Sequence, residues 1–155
     1  MRMRMVCYNW DMNDPNQKQG LHFLGKVAQK IIVARNGKVL LTRDPRDGVD
    51  VWELPGGRLN QGEEPRQGLR RELMEELGVE FEVNDIVHVG QFFRELENQA
   101  TLVLVYSGEQ SNPKEVFQVD EREVAELRWF TIEEALSTKL YDVYKEALQE
   151  FNDKK

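Results

Sequence analysis

The sequence predicts an α/β fold in which a mixed sheet and its helices lie in layers. Strand-like segments stand on both sides of one amphipathic helix, and two further helical segments end the sequence. Helices in such an arrangement bury their apolar stripes on the sheet, which favours a layered architecture. The 155 residues show no repeat and no interdomain linker. We therefore expect one domain at residues 26–155, preceded by an N-terminal arm at residues 1–25.

Two strands are predicted before the helix, at Val27–Ala34 and Lys38–Arg43. The Asn-Gly pair between them is the strongest short signal for a two-residue hairpin. Residues 44–50 are mostly turn formers and predict a loop. Trp52 then leads into a glycine-rich turn at Pro55–Gly57.

The central helix is predicted from Pro65 to Leu77. A proline suits the first turn of a helix, where its missing N–H is not needed. Gly78 suits the position just after the last turn. Leu69 and Leu73 repeat with Leu77 at intervals of four residues, so they form one apolar stripe.

The elements after the helix are three strand regions, a long polar connection and two helices. The strands are predicted at Glu80–Val89 with a continuation at Gln91–Glu95, at Leu102–Tyr106 and at Leu127–Phe130. The connection is residues 109–123, and the helices are Ile132–Leu136 and Leu140–Phe151. Thr131 precedes Glu134 by three residues, which is the spacing of a capping box at a helix start. Long connections in compact domains are often functional, so residues 109–123 are of particular interest.

A second face of the central helix is acidic. Glu72, Glu75 and Glu76 stand at i, i+3 and i+4 and therefore share one side. Carboxylates are the hard oxygen ligands that Mg²⁺ or Mn²⁺ prefers. Glycine permits close approach of the backbone, so the Gly57 carbonyl is a further candidate ligand.

These residues resemble the Nudix box, written G-x5-E-x7-R-E-U-x-E-E-x-G-U with U an aliphatic residue. Every specified position is filled, by Gly57, Glu63, Arg71, Glu72, Leu73, Glu75, Glu76, Gly78 and Val79. A chance match at one starting point has a probability on the order of 10⁻⁹. The resemblance implies an α/β/α sandwich with a mixed sheet. It also implies metal-dependent hydrolysis of a nucleoside diphosphate linked to another moiety.

The resemblance implies a role for each carboxylate of the face. Glu72 and Glu76 would bind Mg²⁺, or Mn²⁺, together with the Gly57 carbonyl. Glu75 would be a further ligand or would orient the attacking water. An ordinary solvated acidic helix is the alternative for a short acidic run, and the complete box argues against it.

Residues around the face have expected roles as well. Glu63 lies eight residues before Arg71, and an ion pair between them would fix the loop against the helix as structural support. In several family members the catalytic base lies on a loop before the last strand. Glu121 and Glu123 stand there, ahead of Leu127–Phe130, and for each the alternative is a solvated loop charge.

Arg43, Arg46 and Arg58 flank the box and are candidate contacts for substrate phosphates. A surface role is equally open for each. The marks that subfamilies for ADP-ribose and dinucleoside polyphosphates often carry past the box are missing at residues 94–96. The remaining substrate class is broad, covering nucleoside triphosphates and nucleotide sugars.

Charge and composition bound the partners. The net charge of −7 argues against general affinity for nucleic acid, which recruits Lys and Arg. No apolar run has the length of a membrane span or of a signal-peptide core. Cys7 is the only cysteine, which fits a reducing cytoplasm. Trp10, His22 and Phe23 could pack on the domain itself or on a second subunit, so a homodimer stays open.

Two other classes of function compete with hydrolysis. A Nudix-like domain can sense a nucleotide without cleaving it, usually with some box carboxylates lost. An isomerase branch of the same fold acts on isoprenoid diphosphates and generally departs from the standard box. The intact carboxylates of this sequence favour the hydrolase.

Overall fold

A computed structural model describes residues 23–45, 50–94 and 98–154, without the Arg94 side chain. The predicted arm at residues 1–25 lies almost wholly outside these residues, and so does Arg46. The boundary between arm and domain therefore stays a prediction.

The described residues form seven strands and three helices. In chain order these are β1 (Gly25–Arg35), β2 (Lys38–Arg43), β3 (Trp52–Glu53), β4 (Gly56–Arg58), α1 (Pro65–Leu77), β5 (Phe81–Arg94), β6 (Gln99–Gln110), β7 (Glu126–Thr131), α2 (Ile132–Ser137) and α3 (Asp142–Asp153). The sheet order is β3-β2-β1-β6-β5, with β4 paired to β1 and β7 paired to β2. β1 runs parallel to β6 but antiparallel to β2 and β4, so the predicted mixed sheet is confirmed.

The hairpin between β1 and β2 forms as predicted. Arg35 pairs with Lys38, which leaves a two-residue loop. Asn36 and Gly37 have φ angles of 51° and 75°. Both values are in the left-handed region that the favoured hairpin turn requires, and asparagine and glycine tolerate it best.

Some elements differ from their predicted bounds. β6 extends well beyond Leu102–Tyr106 because its polar ends also pair with β5. β5 is continuous to Arg94, with register shifts between Val83 and His88. α3 begins at Asp142 rather than Leu140, because Tyr141 is extended.

Helices cover both faces of the sheet. The apolar stripe of α1, including Leu69 and Leu73, is fully buried against residues such as Ile31 of β1. On the opposite face Tyr144 and Leu148 of α3 belong to a separate apolar cluster that includes Ile32 of β1. Successive residues of β1 serve opposite faces because side chains alternate along a strand. The predicted α/β/α sandwich is confirmed.

None of the helices in the described part of the chain has the length and hydropathy needed to cross a bilayer.

Candidate active site

Helix α1, which carries the acidic face, has well-defined ends. Glu64 is the N-cap, and its carboxylate accepts a bond of 3.0 Å from the Gln67 N–H. Gly78 ends the helix with φ of +66° and donates its N–H to the Met74 carbonyl. The predicted bounds, Pro65 to Leu77, are confirmed.

Arg71 holds the loop before the helix through a bidentate ion pair with Glu63. Its Nε lies 2.8 Å from Glu63 Oε1, and its Nη2 lies 3.1 Å from Glu63 Oε2. The hydrogen bond from Arg71 lowers the pKa of the Glu63 carboxyl. Nη2 also donates to the Arg58 carbonyl at 3.2 Å. The predicted pair is therefore present and joins the loop to the helix.

The same guanidinium contacts two carboxylates of the acidic face. Nη1 of Arg71 lies 2.9 Å from Glu72 Oε1 and 3.1 Å from Glu75 Oε2. One positive charge among these carboxylates offsets the repulsion between them. Glu75 is exposed, whereas Glu72 is partly buried.

Glu72 lies directly against the glycine turn. A Cβ atom on Gly57 would stand only 2.2 Å from Glu72 Oε2, so a larger residue here would displace the Glu72 carboxylate from its present position. This close approach is what the glycine of the box provides here.

The direction of the Gly57 carbonyl follows from the pairing of β4 with β1. Gly57 lies opposite Gln29. On one side of this pair the Ile31 N–H donates to the Pro55 carbonyl. On the other side the Leu59 N–H donates to the Val27 carbonyl of β1, and both distances are 2.9 Å. Hydrogen-bonded pairs alternate along an antiparallel ladder, so the Gly57 carbonyl falls at a position that faces β1. Its role as a metal ligand stays a prediction.

Glu76 is the most desolvated carboxylate of the face. Burial raises its pKa to about 7, although the nearby Lys30 ammonium and a hydrogen bond from Gly56 act in the opposite direction. The Gly56 N–H donates to Glu76 Oε2 at 3.0 Å. Gly56 has a φ of +122°, and a Cβ there would lie 2.3 Å from the Gln29 carbonyl. The backbone therefore depends on glycine at position 56.

Two residues that the sequence analysis did not select complete this region. Lys30 on β1 and Glu53 on β3 are both buried, and Lys30 Nζ lies 2.9 Å from Glu53 Oε2. Lys30 Nζ also donates to the Gly56 carbonyl at 2.8 Å. A lysine beside the apolar run Ile31–Ala34 is a signal that could have drawn attention to Lys30, because a buried charge needs a partner.

The donor set fits a divalent cation in its chemistry. The carboxylates are hard oxygen donors, and a desolvated carboxylate such as Glu76 is one that a nearby cation stabilises. In the described part of the chain no three His, Cys, Asp or Glu side chains converge closely enough to enclose an ion. Instead, the three carboxylates bind protein groups: Glu72 and Glu75 accept from Arg71, and Glu76 accepts from the Gly56 N–H.

The loop between β6 and β7 approaches the end of α1. Gln118 and Asp120 donate backbone bonds of 2.8 and 3.1 Å to carbonyls in the last turn of the helix. Hydrogen bonds from Arg122 lower the pKa of Asp120 to about 2, which makes it too weak a base at neutral pH. Glu121 and Glu123 follow on the exposed part of this loop, and their role as base stays a prediction.

The arginines expected to contact phosphate lie in different settings. Arg43 binds Asp50 at 3.2 Å and Glu126 at 3.0 Å, so a phosphate would have to compete with two carboxylates. Arg58 lies exposed on β4, next to the glycine turn. Neither observation tests a phosphate contact, and Arg46 lies outside the described residues.

Fold and site together define a Nudix-type domain: a sandwich whose central helix presents a carboxylate face to a glycine turn. The sequence model of the NUDIX domain matches residues 26–151. The chain belongs to this family, and the resemblance found in the sequence is confirmed.

Three known proteins show how much of the chain is similar to other members of the family. The chain is 45% identical over 58 residues to the CTP pyrophosphohydrolase of Escherichia coli, which covers 36% of this chain and 43% of that protein. It is 28% identical over 145 residues to the ADP-ribose pyrophosphatase of Bacillus subtilis, covering 87% and 77%. The solution structure of the E. coli ORF135 protein superimposes with a TM-score of 0.68 at 29% identity, covering 84% of this chain and 91% of that one.

The matched stretch is short in several curated relatives. It spans 43% of the E. coli protein and 38% of a Xenopus laevis protein named nucleoside diphosphate-linked moiety X motif 6. The chain thus spans about two-fifths of the length of these relatives, which shows the domain that they share.

Proposed function

We propose that this protein is a divalent-metal-dependent hydrolase that cleaves the phosphoanhydride bond of a nucleoside diphosphate linked to another moiety. The observation that carries the proposal is the carboxylate face of α1, which is complete and lies against Gly56 and Gly57, where the backbone approaches closely. Support comes from relatives named for pyrophosphohydrolase activity, including those from E. coli and B. subtilis.

Each part of the site has a chemical task. A diphosphate resists hydrolysis because its negative charge repels water, and bound Mg²⁺ or Mn²⁺ would neutralise that charge and acidify a water. Glu72 and Glu76 would hold the cation, with Glu75 as a further ligand or as a guide for the water. Arg71 keeps the face ordered by binding Glu63 on the loop. The water's oxygen would attack phosphorus and its proton would pass to the base, while the bridging P–O bond breaks and the second phosphate leaves with the bridging oxygen.

The base in this proposal is Glu121 or Glu123. Both follow the segment that is bonded to the end of α1. A carboxylate on this loop can accept a proton from water without being a ligand of the metal. Arg58 and Arg43 are the proposed phosphate contacts among the described residues.

The proposed substrate is a small nucleotide derivative, either a nucleoside triphosphate or a nucleotide sugar. The net charge of −7 supports a small ligand that arrives with its own metal ion rather than a polyanion. The single cysteine supports a reducing cytoplasm as the location.

The test is release of phosphate and pyrophosphate from a panel of substrates. The panel contains CTP and other nucleoside triphosphates, 8-oxo-dGTP, ADP-ribose and nucleotide sugars, each with Mg²⁺, Mn²⁺ or a chelator. We expect turnover of at least one compound with metal, and loss of turnover in Glu76→Gln. Glu80→Gln is the matched control, because Glu80 is exposed and lies outside the acidic face.

The same panel separates hydrolysis from nucleotide sensing. A sensing domain would bind a compound of the panel, as measured by calorimetry, and release neither product. Saturable binding without turnover of any compound would refute the hydrolase and favour the sensor.

A further inference from the structure

Lys30 is a buried charge that the proposed reaction does not use. Its side chain is 8% exposed, on the face of β1 that points toward α3. The Tyr144 ring centroid lies 5.9 Å from its Nζ. An ammonium in such a place is unfavourable unless it is paired and hydrogen-bonded, so its contacts account for its presence.

These contacts join three strands at the glycine turn. Lys30 comes from β1, it binds the Glu53 carboxylate on β3, and it donates to the Gly56 carbonyl on β4. The ion pair alone would balance the charge. The hydrogen bond from the ammonium to the Gly56 carbonyl, at 2.8 Å, additionally constrains the backbone of β4.

Gly56 is held from both ends. Its carbonyl accepts from Lys30, and its N–H donates to Glu76 Oε2. The two bonds lie on opposite sides of one Cα atom and together fix the two backbone angles of this residue. Its φ of +122° is a conformation that other residues rarely adopt, so the turn needs outside support to keep it.

We propose that Lys30 is a positioning residue for the metal-binding carboxylate. It fixes the backbone of Gly56, and through the Gly56 N–H it keeps Glu76 in one orientation, while Glu53 holds Lys30 in place. The inference rests on the proposed function, because it concerns the same face of α1. The competing explanation is an ion pair that stabilises the fold and has no effect on the site.

Two variants and a control distinguish these explanations. Lys30→Met removes the ammonium and leaves Glu53 without this partner. Lys30→Met combined with Glu53→Met replaces the whole pair by apolar side chains of similar size. Lys38→Met is the control, because Lys38 is an exposed lysine at the start of the neighbouring strand. Each protein is titrated with Mn²⁺, with free Mn²⁺ followed by electron paramagnetic resonance, and is melted without metal.

The expected results differ between the two measurements. Lys30→Met lowers the melting temperature by roughly 10 °C, since the buried Glu53 carboxylate has lost the ammonium that faced it. The double variant returns to within a few degrees of wild type, because an apolar pair can replace a buried ion pair without loss of stability. Both weaken Mn²⁺ binding by roughly 10- to 100-fold, the range found when residues behind metal ligands are removed. Lys38→Met changes neither quantity.

Three outcomes would overturn the proposal. The first is a double variant that recovers both its melting temperature and its Mn²⁺ affinity, which makes the pair purely structural. The second is a folded Lys30→Met protein with wild-type Mn²⁺ affinity. The third is a double variant that does not fold, since the pair then acts on the whole fold and not on Gly56. Wild-type protein that binds Mn²⁺ but hydrolyses nothing refutes the proposed reaction alone, because the Mn²⁺ titration still tests Lys30.

Discussion

Replacing Glu76 by glutamine separates chemistry from stability within one side chain. Glutamine keeps the size of Glu76 and can still accept the hydrogen bond from Gly56, but it carries no charge. If Glu76 binds the cation, the amide binds it more weakly, and turnover falls by roughly 10²-fold or more. Folding should not suffer, because the charge that is removed is the one that burial disfavours.

The effect on folding depends on pH, and its sign follows from the pKa of Glu76. Burial raises this pKa from 4.5 to about 7. Because the folded protein holds the proton more tightly than the unfolded chain, the stability of the metal-free protein falls as pH rises from 4.5 to 7. Below 4.5 the loss is absent, and above 7 it is complete. This difference in pKa lowers the free energy of unfolding at pH 8 by roughly 3 kcal/mol, compared with low pH.

The variant has no such titration, so it should melt higher than wild type at pH 8 without metal. For a chain of this length roughly 3 kcal/mol corresponds to a shift of about 10 °C at most. At pH 5 the two proteins should melt much closer together. Saturating Mg²⁺ should then reverse the order at pH 8, because a ligand that binds the folded state stabilises it, and the variant binds the ion weakly.

The assay is thermal unfolding at pH 5 and pH 8, with and without Mg²⁺, together with turnover of the best substrate. Glu80→Gln is again the control and should follow wild type in every condition. A Glu76→Gln protein that melts lower than wild type in metal-free buffer at pH 8 would refute the electrostatic reasoning. One that keeps its turnover would show that Glu76 is not a ligand.

Other perturbations test other parts of the structure. Leu73→Ala should destabilise the protein by roughly 2–5 kcal/mol in urea unfolding, because Leu73 is fully buried and a cavity would remain; a loss below about 1 kcal/mol would mean that the core closes over the gap. A chelator should abolish hydrolysis and added Mg²⁺ or Mn²⁺ should restore it, so a full rate in chelator would contradict the metal requirement. Glu121→Gln or Glu123→Gln should lower kcat with little change in Mn²⁺ affinity, since a base acts on the transition state; two variants with wild-type turnover would place the base elsewhere. Gly57→Ala should weaken Mn²⁺ binding, because the new Cβ would stand 2.2 Å from Glu72 Oε2, and unchanged affinity would show that the carboxylate can move without consequence.

Local signals made the central helix and the first hairpin predictable. Pro65 and Gly78 mark the ends of α1, and the asparagine and glycine of the hairpin adopt the angles that their chemistry permits. The ion pair between Arg71 and Glu63 could also be predicted, because both residues belong to one motif and lie eight residues apart. In these cases the residues that determine the structure are neighbours in the sequence.

Long-range pairing decided what the sequence could not show. Lys30 and Glu53 are 23 residues apart, and nothing in either strand's pattern says that they meet. Pro55–Gly57 was expected as a turn, since glycines favour turns, yet Gly56 and Gly57 pair with β1 as part of the short strand β4. The direction of each glycine carbonyl depends on that pairing, so the sequence could name the turn but not the group that faces the carboxylates.

The reach of Arg71 has a consequence for metal affinity. By binding Glu63, Glu72 and Glu75 at once, this one side chain holds the loop and the helix together before any ion arrives. The ordering entropy of loop and helix is therefore lost during folding and is not lost again when the ion binds, which is the advantage of a preorganised site. The ion must instead displace a guanidinium from two carboxylates. Selection among ions at this site is thus a competition with an internal cation, in which a compact double charge has the advantage over a single one.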